Sequence, residues 1–186
     1  MAAGKKNSVY QLKITLDGIK PPIWRRILIA SHVDLEQLHD TIQTAMGWTD
    51  SHLHQFVSGR TCYGLPDDDF GMEVEDEKKY TVSQLLKKEK DKLKYEYDFG
   101  DSWEHTVLLE KILPAEDQGR LPRCIKGKRA CPPEDCGGIW GYQEMLEVLK
   151  DPSDPEYEDW LEWLGEEFDP DHFDLDEVNK ELTGSF

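Results

Sequence analysis

The chain has 186 residues, 38% hydrophobic and 33% charged, with 22 basic against 39 acidic side chains and a formal net charge of −17. That length suits one domain, and six Trp, seven Tyr and six Phe supply the bulk for a core. Charge this negative argues against a phosphate backbone or an anionic membrane surface, both of which recruit cationic side chains. No apolar run approaches the roughly 20 residues a membrane helix needs. The opening MAAGKKNS has no apolar stretch of the secretory kind, so a cytoplasmic protein with reduced cysteines is expected. Residues 1–8 read as a disordered tail and 9–186 as one domain. The acidity is uneven: net +2 over residues 1–66, −6 over 67–123 and −13 over 124–186.

In chain order, Val9–Leu16 alternates, with Tyr10, Leu12, Ile14 and Leu16 on one side, and predicts a half-buried strand. Asp17-Gly18 signals a turn, and Ile23–Ala30 predicts a second strand that closes a hairpin, with Arg25 and Arg26 on opposite faces. Asp34 is an N-cap for a helix carrying Leu35, Leu38, Ile42, Ala45 and Met46, which Gly47 stops. His39 sits beside that apolar stripe. A strand over His52–Ser58, a polar loop at Asp67–Asp69 and a short helix over Thr81–Lys88 follow. Leu93–Phe99 and Trp103–Leu113 predict two strands around a Gly100-Asp101 turn. Residues 114–140 hold four of the ten prolines and three of the four cysteines, and predict an irregular Cys/Pro-rich loop. The last third is helical. Tyr142, Met145, Leu146 and Leu149 share one face. Asp154-Pro155 starts a helix with a buried stripe of Tyr157, Trp160, Leu161 and Leu164 ending at Gly165, and a final helix runs over Leu175–Leu182. The order of elements predicts a single α+β domain: a strand–strand–helix unit, an antiparallel or mixed sheet, the loop, then helices.

Several blocks carry a resemblance. YQLKITLDGIKPPIWRRIL (Tyr10–Leu28), LEQLHDTIQTAMGW (Leu35–Trp48), HLHQF (His52–Phe56), YEYDFGDSWEHTVLLEK (Tyr95–Lys111), RCIKGKRACPPEDCGGIWGY (Arg123–Tyr142) and FDPDHFDLDEVN (Phe168–Asn179) resemble, in order, the family named after the third open reading frame of the Ri plasmid. The likeness covers about Val9–Leu182. It implies an uncharacterised protein of mobile-element background, in a family where some members carry a transposon-resolvase label. A serine resolvase needs a nucleophilic serine amid arginines plus a basic DNA-reading segment. The arginines here are Arg25, Arg26, Arg60, Arg120, Arg123 and Arg129, and the C-terminal third is anionic, which disfavours that activity.

Chemistry-bearing residues are few. Cys124, Cys131 and Cys136 would hold zinc if a fourth ligand such as His52 or His54 joined them, with Cys62 and His105 as further candidates. Gaps of six and four residues lack the C-x₂-C knuckle, so the competing reading is small buried thiols. The DFG of Tyr97–Asp101 stands without the other kinase signatures and reads as a turn. Beside it, Asp98, Asp101, Trp103 and His105 form a candidate ligand pocket in which a carboxylate tunes the imidazole. Asp169, Asp171, Asp174 and Asp176 fail the EF-hand template, because Phe173 occupies its fifth position. P-loop, GxGxxG, HExxH and GxSxG motifs are all lacking. The expected function is therefore a non-enzymatic binding or adaptor module whose anionic face meets a protein partner with a basic surface. The alternative is a zinc-binding protein or enzyme built on the Cys124–Cys136 loop with a histidine.

Overall fold

Alternation of apolar and polar residues sets the centre of the fold. Strand β1 (Ser8–Leu16) buries Tyr10, Leu12, Ile14 and Leu16, and β2 (Trp24–Ala30) pairs with it antiparallel from Val9–Ala30 to Thr15–Trp24, closing the expected hairpin. The computed structural model describes residues 8–66, 74–116, 119–165 and 168–184. The Asp67–Asp69 loop and all of the expected tail except Ser8 lie outside them. Ser8 itself opens β1, with its hydroxyl bonded to that of Ser31.

On the far side of β1 lies β7 (Trp103–Pro114), paired from Ser8–Pro114 to Leu16–His105 with a bulge at Gln11/Leu12. Beyond β7 come β6 (Lys92–Tyr97), β3 (His54–Ser58), β4 (Thr61–Gly64) and β5 (Val74–Asp76). Strand β8 (Arg123–Lys128) pairs outside β2. Among the described residues these make one eight-stranded sheet in the order β5-β4-β3-β6-β7-β1-β2-β8, mixed because β4 and β5 run parallel.

Helix α1 (Leu35–Met46) has the predicted cap: Gln37 N donates to Asp34 Oδ1 at 2.8 Å, and Asp34 N donates to Gln37 Oε1. Gly47, at φ 94°, ends it in the left-handed conformation. Asp34→Ala is expected to cost about 1 kcal/mol by removing that acceptor, read as a lower urea midpoint at unchanged m. The Thr81–Lys88 helix shrinks to one turn, α2 (Val82–Leu85), since Leu86 is already extended. The helices α3 (Gly138–Val148), α4 (Tyr157–Leu164) and α5 (Leu175–Gly184) make up the helical last third.

The segment 114–140 is not wholly irregular, because β8 lies within it. Its sequence, RCIKGK, shows no apolar alternation, and tertiary contacts hold it at the sheet edge. Asn179 of α5 grips both backbone groups of Cys124, accepting from its N at 2.8 Å and donating to its O at 2.9 Å. A Cβ on Gly127 would meet the Phe173 ring at 2.4 Å, so only glycine lets that ring cover the strand. Arg25 is buried beneath it: Nε donates to Ala45 O, Nη1 to Trp24 O and Lys128 O, and the guanidinium stacks 4.6 Å from the Phe173 ring. Arg26, on the opposite face as expected, forms a two-pronged pair with Glu110 at 2.6 and 2.8 Å. The stripe on α4 is only half-buried, and no residue of that helix is fully enclosed.

Candidate functional site

Three segments meet where β6 ends and β3 begins. The first is 49–53, leading out of α1. Asp50, at φ 55°, bends it back, and its N donates to Gln43 Oε1. His52 therefore stays in a loop while His54 opens β3, so the strand starts two residues later than the predicted His52 and the two histidines do not share a strand face. The second segment is the turn after β6. Asp98 is left-handed at φ 57°, its O accepts from Ser102 N at 2.6 Å, and its Oδ1 accepts from Gly100 N at 2.9 Å. Aspartate tolerates this conformation better than most residues. The third is the Pro132–Gly137 part of the cysteine loop. Trp48 Nε1 donates to Pro132 O, Thr49 N and the Tyr97 hydroxyl donate to Glu134 Oε1, and Gly137 N donates to Asp101 Oδ2.

These ties bring His52 against carboxylates from the other two segments. Its Nε2 lies 3.1 Å from Asp135 Oδ1, 3.7 Å from Asp98 Oδ2 and 3.7 Å from Glu134 Oε2. That nitrogen is shielded from solvent and has no hydrogen-bond partner among the described residues. Tyr97, edge-on to the His52 ring, has its hydroxyl pKa raised by burial and then by Glu134, so it remains a donor.

Behind this cluster lies a second, more deeply buried one. His39 and His54 stack with ring centres 3.4 Å apart. Burial, then the neighbouring His54, lower the His39 pKa to about 4, so its ring is neutral. Its Nε2–H then donates to Asp50 and its Nδ1 accepts from the Tyr95 hydroxyl, which in turn accepts from Gln43 Nε2. His54 Nε2 donates to the buried Glu77 at 2.8 Å.

The cysteines expected as ligands do not converge. Among the described residues two sets of three or more donors lie close enough to share an ion, His39/Asp50/His54 and His52/Asp98/Asp135, and neither contains sulfur. Cys124 lies in β8, while Cys131 and Cys136 occupy the loop, and burial raises the last two thiols to about 12. Cys62 sits apart on β4. The expected pocket also divides. Asp98 and Asp101 stay at the turn, whereas Trp103 and His105 point into the core. His105 Nδ1 donates to Trp103 O rather than to a carboxylate, and burial lowers its pKa to about 4. Sequence reasoning missed Glu134 and Asp135, whose signal was two adjacent carboxylates in a loop conspicuous for its cysteines.

Alongside the turn runs a groove of about 520 Å³ bordered by Asp17, Asp101, Glu104 and Trp140. Trp140 is 83% exposed, and Phe99 nearby is 39% exposed. No helix among the described residues is long and apolar enough to cross a membrane.

Comparison with known proteins adds a lineage. The chain is similar to "Uncharacterized protein y4hQ" of Sinorhizobium fredii (strain NBRC 101917 / NGR234), 38% identical over 175 residues that cover 93% of this chain and 90% of that protein. It is also similar to a solved structure, the crystal structure of the protein of unknown function MM3350 from Methanosarcina mazei Go1. There the TM-score is 0.84 and the identity 44%, over 92% of this chain and 98% of that one. Residues 8–177 match the family model described as plasmid pRiA4b ORF-3-like protein, and the chain belongs to that family.

Proposed function

We propose that the chain is a non-enzymatic binding module that takes up a basic segment of a protein partner in the groove between the Asp98–Ser102 turn and α3. One observation carries the reading: Trp140, 83% exposed, borders a groove whose side chains include Asp101 and Glu104. An indole face so open to water gains by covering, and a cation laid on it gains about 0.5–1 kcal/mol beyond that. Asp17 is already engaged with Lys94 Nζ and the Thr106 hydroxyl, so Asp101 and Glu104 supply the attraction, reinforced by the field of a chain at −17. The same field repels phosphate and makes nucleic acid a poor occupant. Four unpaired cysteines suit the reducing cytoplasm as the place of work. The family's plasmid namesake supports a mobile-element background.

The test is fluorescence anisotropy of a labelled octa-arginine peptide with the full chain, beside an octa-glutamate control. Binding at low salt that weakens with added salt is expected. Trp140→Ala should loosen it about three- to fivefold through the lost cation–π contact. Glu104→Gln should loosen it further. Unchanged affinity in both variants sinks the groove as the docking site.

A further inference from the structure

We infer that His52, Asp98 and Asp135, with Glu134 beside them, form a binding site for a divalent transition-metal ion of the zinc or manganese kind. The site stands apart from the groove reading, and the two are scored by different probes.

Its core is the imidazole nitrogen of His52. The atom is shielded from solvent yet makes no hydrogen bond among the described residues, although a carboxylate oxygen lies 3.1 Å away and two more at 3.7 Å. None of the three is aligned with the nitrogen as a hydrogen-bond acceptor, and two of them, on Asp98 and Asp135, converge with it on a common point. Ligands bonded at about 2.1 Å around a tetrahedral ion stand roughly 3.4 Å from one another, which falls inside the observed 3.1–3.7 Å spread. The donor atoms of His52, Asp98 and Asp135 all lie within 4.8 Å of one another.

The carboxylates are also aimed. Asp98 gives Oδ1 to Gly100 N and leaves Oδ2 facing His52. Glu134 gives Oε1 to Thr49 N and the Tyr97 hydroxyl, and leaves Oε2 facing the same nitrogen. One oxygen anchored and the other presented is the outer-shell pattern that orients metal ligands. Asp98 and Asp135 both hold left-handed backbone, at φ 57° and 58°, with Asp98 buried and Asp135 open to solvent at the mouth of the cluster. Among the described residues no lysine or arginine pairs with any of the three carboxylates, so no fixed cation offsets their mutual repulsion. A dication offsets it. One nitrogen with carboxylate oxygens suits zinc or manganese better than magnesium or calcium, which take oxygen alone, or copper(I), which takes sulfur. Such an ion would join the loop after α1, the turn after β6 and the loop before α3.

Zinc chloride titrated into the chelator-stripped full chain, followed by calorimetry and elemental analysis, is expected to show one equivalent bound. Magnesium should not substitute. His52→Ala and Asp135→Asn should each weaken zinc binding at least tenfold, whereas Cys131→Ser and Trp140→Ala leave it unchanged. Manganese-induced line broadening in the labelled wild-type chain, which needs no variant to fold, should centre on the His52 ring. Failure to take up zinc, wild-type affinity in both His52→Ala and Asp135→Asn, loss of binding in Cys131→Ser, or broadening centred on the exposed His172 would each overturn the assignment.

Discussion

Acidification from pH 6.5 to 4 is expected to destabilise the chain steeply. His39 and His105 are both neutral in the native state with pKa values lowered to about 4, His39 by burial and then by His54, His105 by burial. In the unfolded chain each returns to about 6.5. Between those values the unfolded state binds a proton that the native state refuses, so stability falls as pH drops. The slope is about 1.4 kcal/mol per pH unit for each ring. The stability they contribute is present above about pH 6.5 and is largely lost by pH 4. The Glu110 carboxyl acts below that window. Its hydrogen bond from Arg26 lowers its pKa, so its contribution holds above the ordinary carboxylate range and is lost only at lower pH. Urea unfolding at half-unit steps from pH 4 to 8 measures the effect, with His105→Gln removing about half the slope even though it lowers stability overall. A flat profile from pH 6.5 to 5, or an unaltered slope in the variant, would refute the buried-neutral assignment.

The second large effect is at Gly141. In the middle of a helix an added methyl ordinarily stabilises by about 1 kcal/mol. Here the sign should reverse. A Cβ on Gly141 would come within 1.9 Å of the backbone oxygen of Cys136, which has no side-chain freedom with which to yield. Helix α3 packs directly on the end of the loop that carries Glu134 and Asp135, and nearby Gly138 meets Asp101 O in the same way, at 2.5 Å. Gly141→Ala should cost about 3 kcal/mol, the upper range for overpacking, and lower Tm by roughly 6–12 °C. Gly184→Ala, which meets nothing within 4 Å, is the matched control and should be near neutral. If both alanines behave alike, the close approach of α3 to Cys136 is not a constraint on the fold.

Much of the fold was legible because local rules and tertiary packing agree there. The β1–β2 hairpin follows from alternation, and α1 from Asp34, its apolar spacing and Gly47. The segments that escaped notice have weak local signals. Strands β4 and β5 have four and three residues, and charged, glycine-bearing β8 exists through its partner β2, the Asn179 clamp and the Phe173 cover. The candidate site was half legible. Asp98 and His52 stood out by residue type, but they were assigned to different constellations, the one with His105 and the other with the cysteines. Side-chain direction decides such pairings. Strand β7 turns His105 into the core, and the reversal at Asp50 lifts His52 out of β3.

By itself the sequence determined the α+β class, the hairpin, the capped first helix, the helical last third and the acidic character, because each rests on residue type or on contacts a few positions apart. Only the tertiary structure decided which carboxylates surround His52, since Asp98 and Asp135 reach it across 46 and 83 residues of chain. Meeting at 3–4 Å over such separations depends on turn geometry and sheet order, which residue spacing alone does not encode.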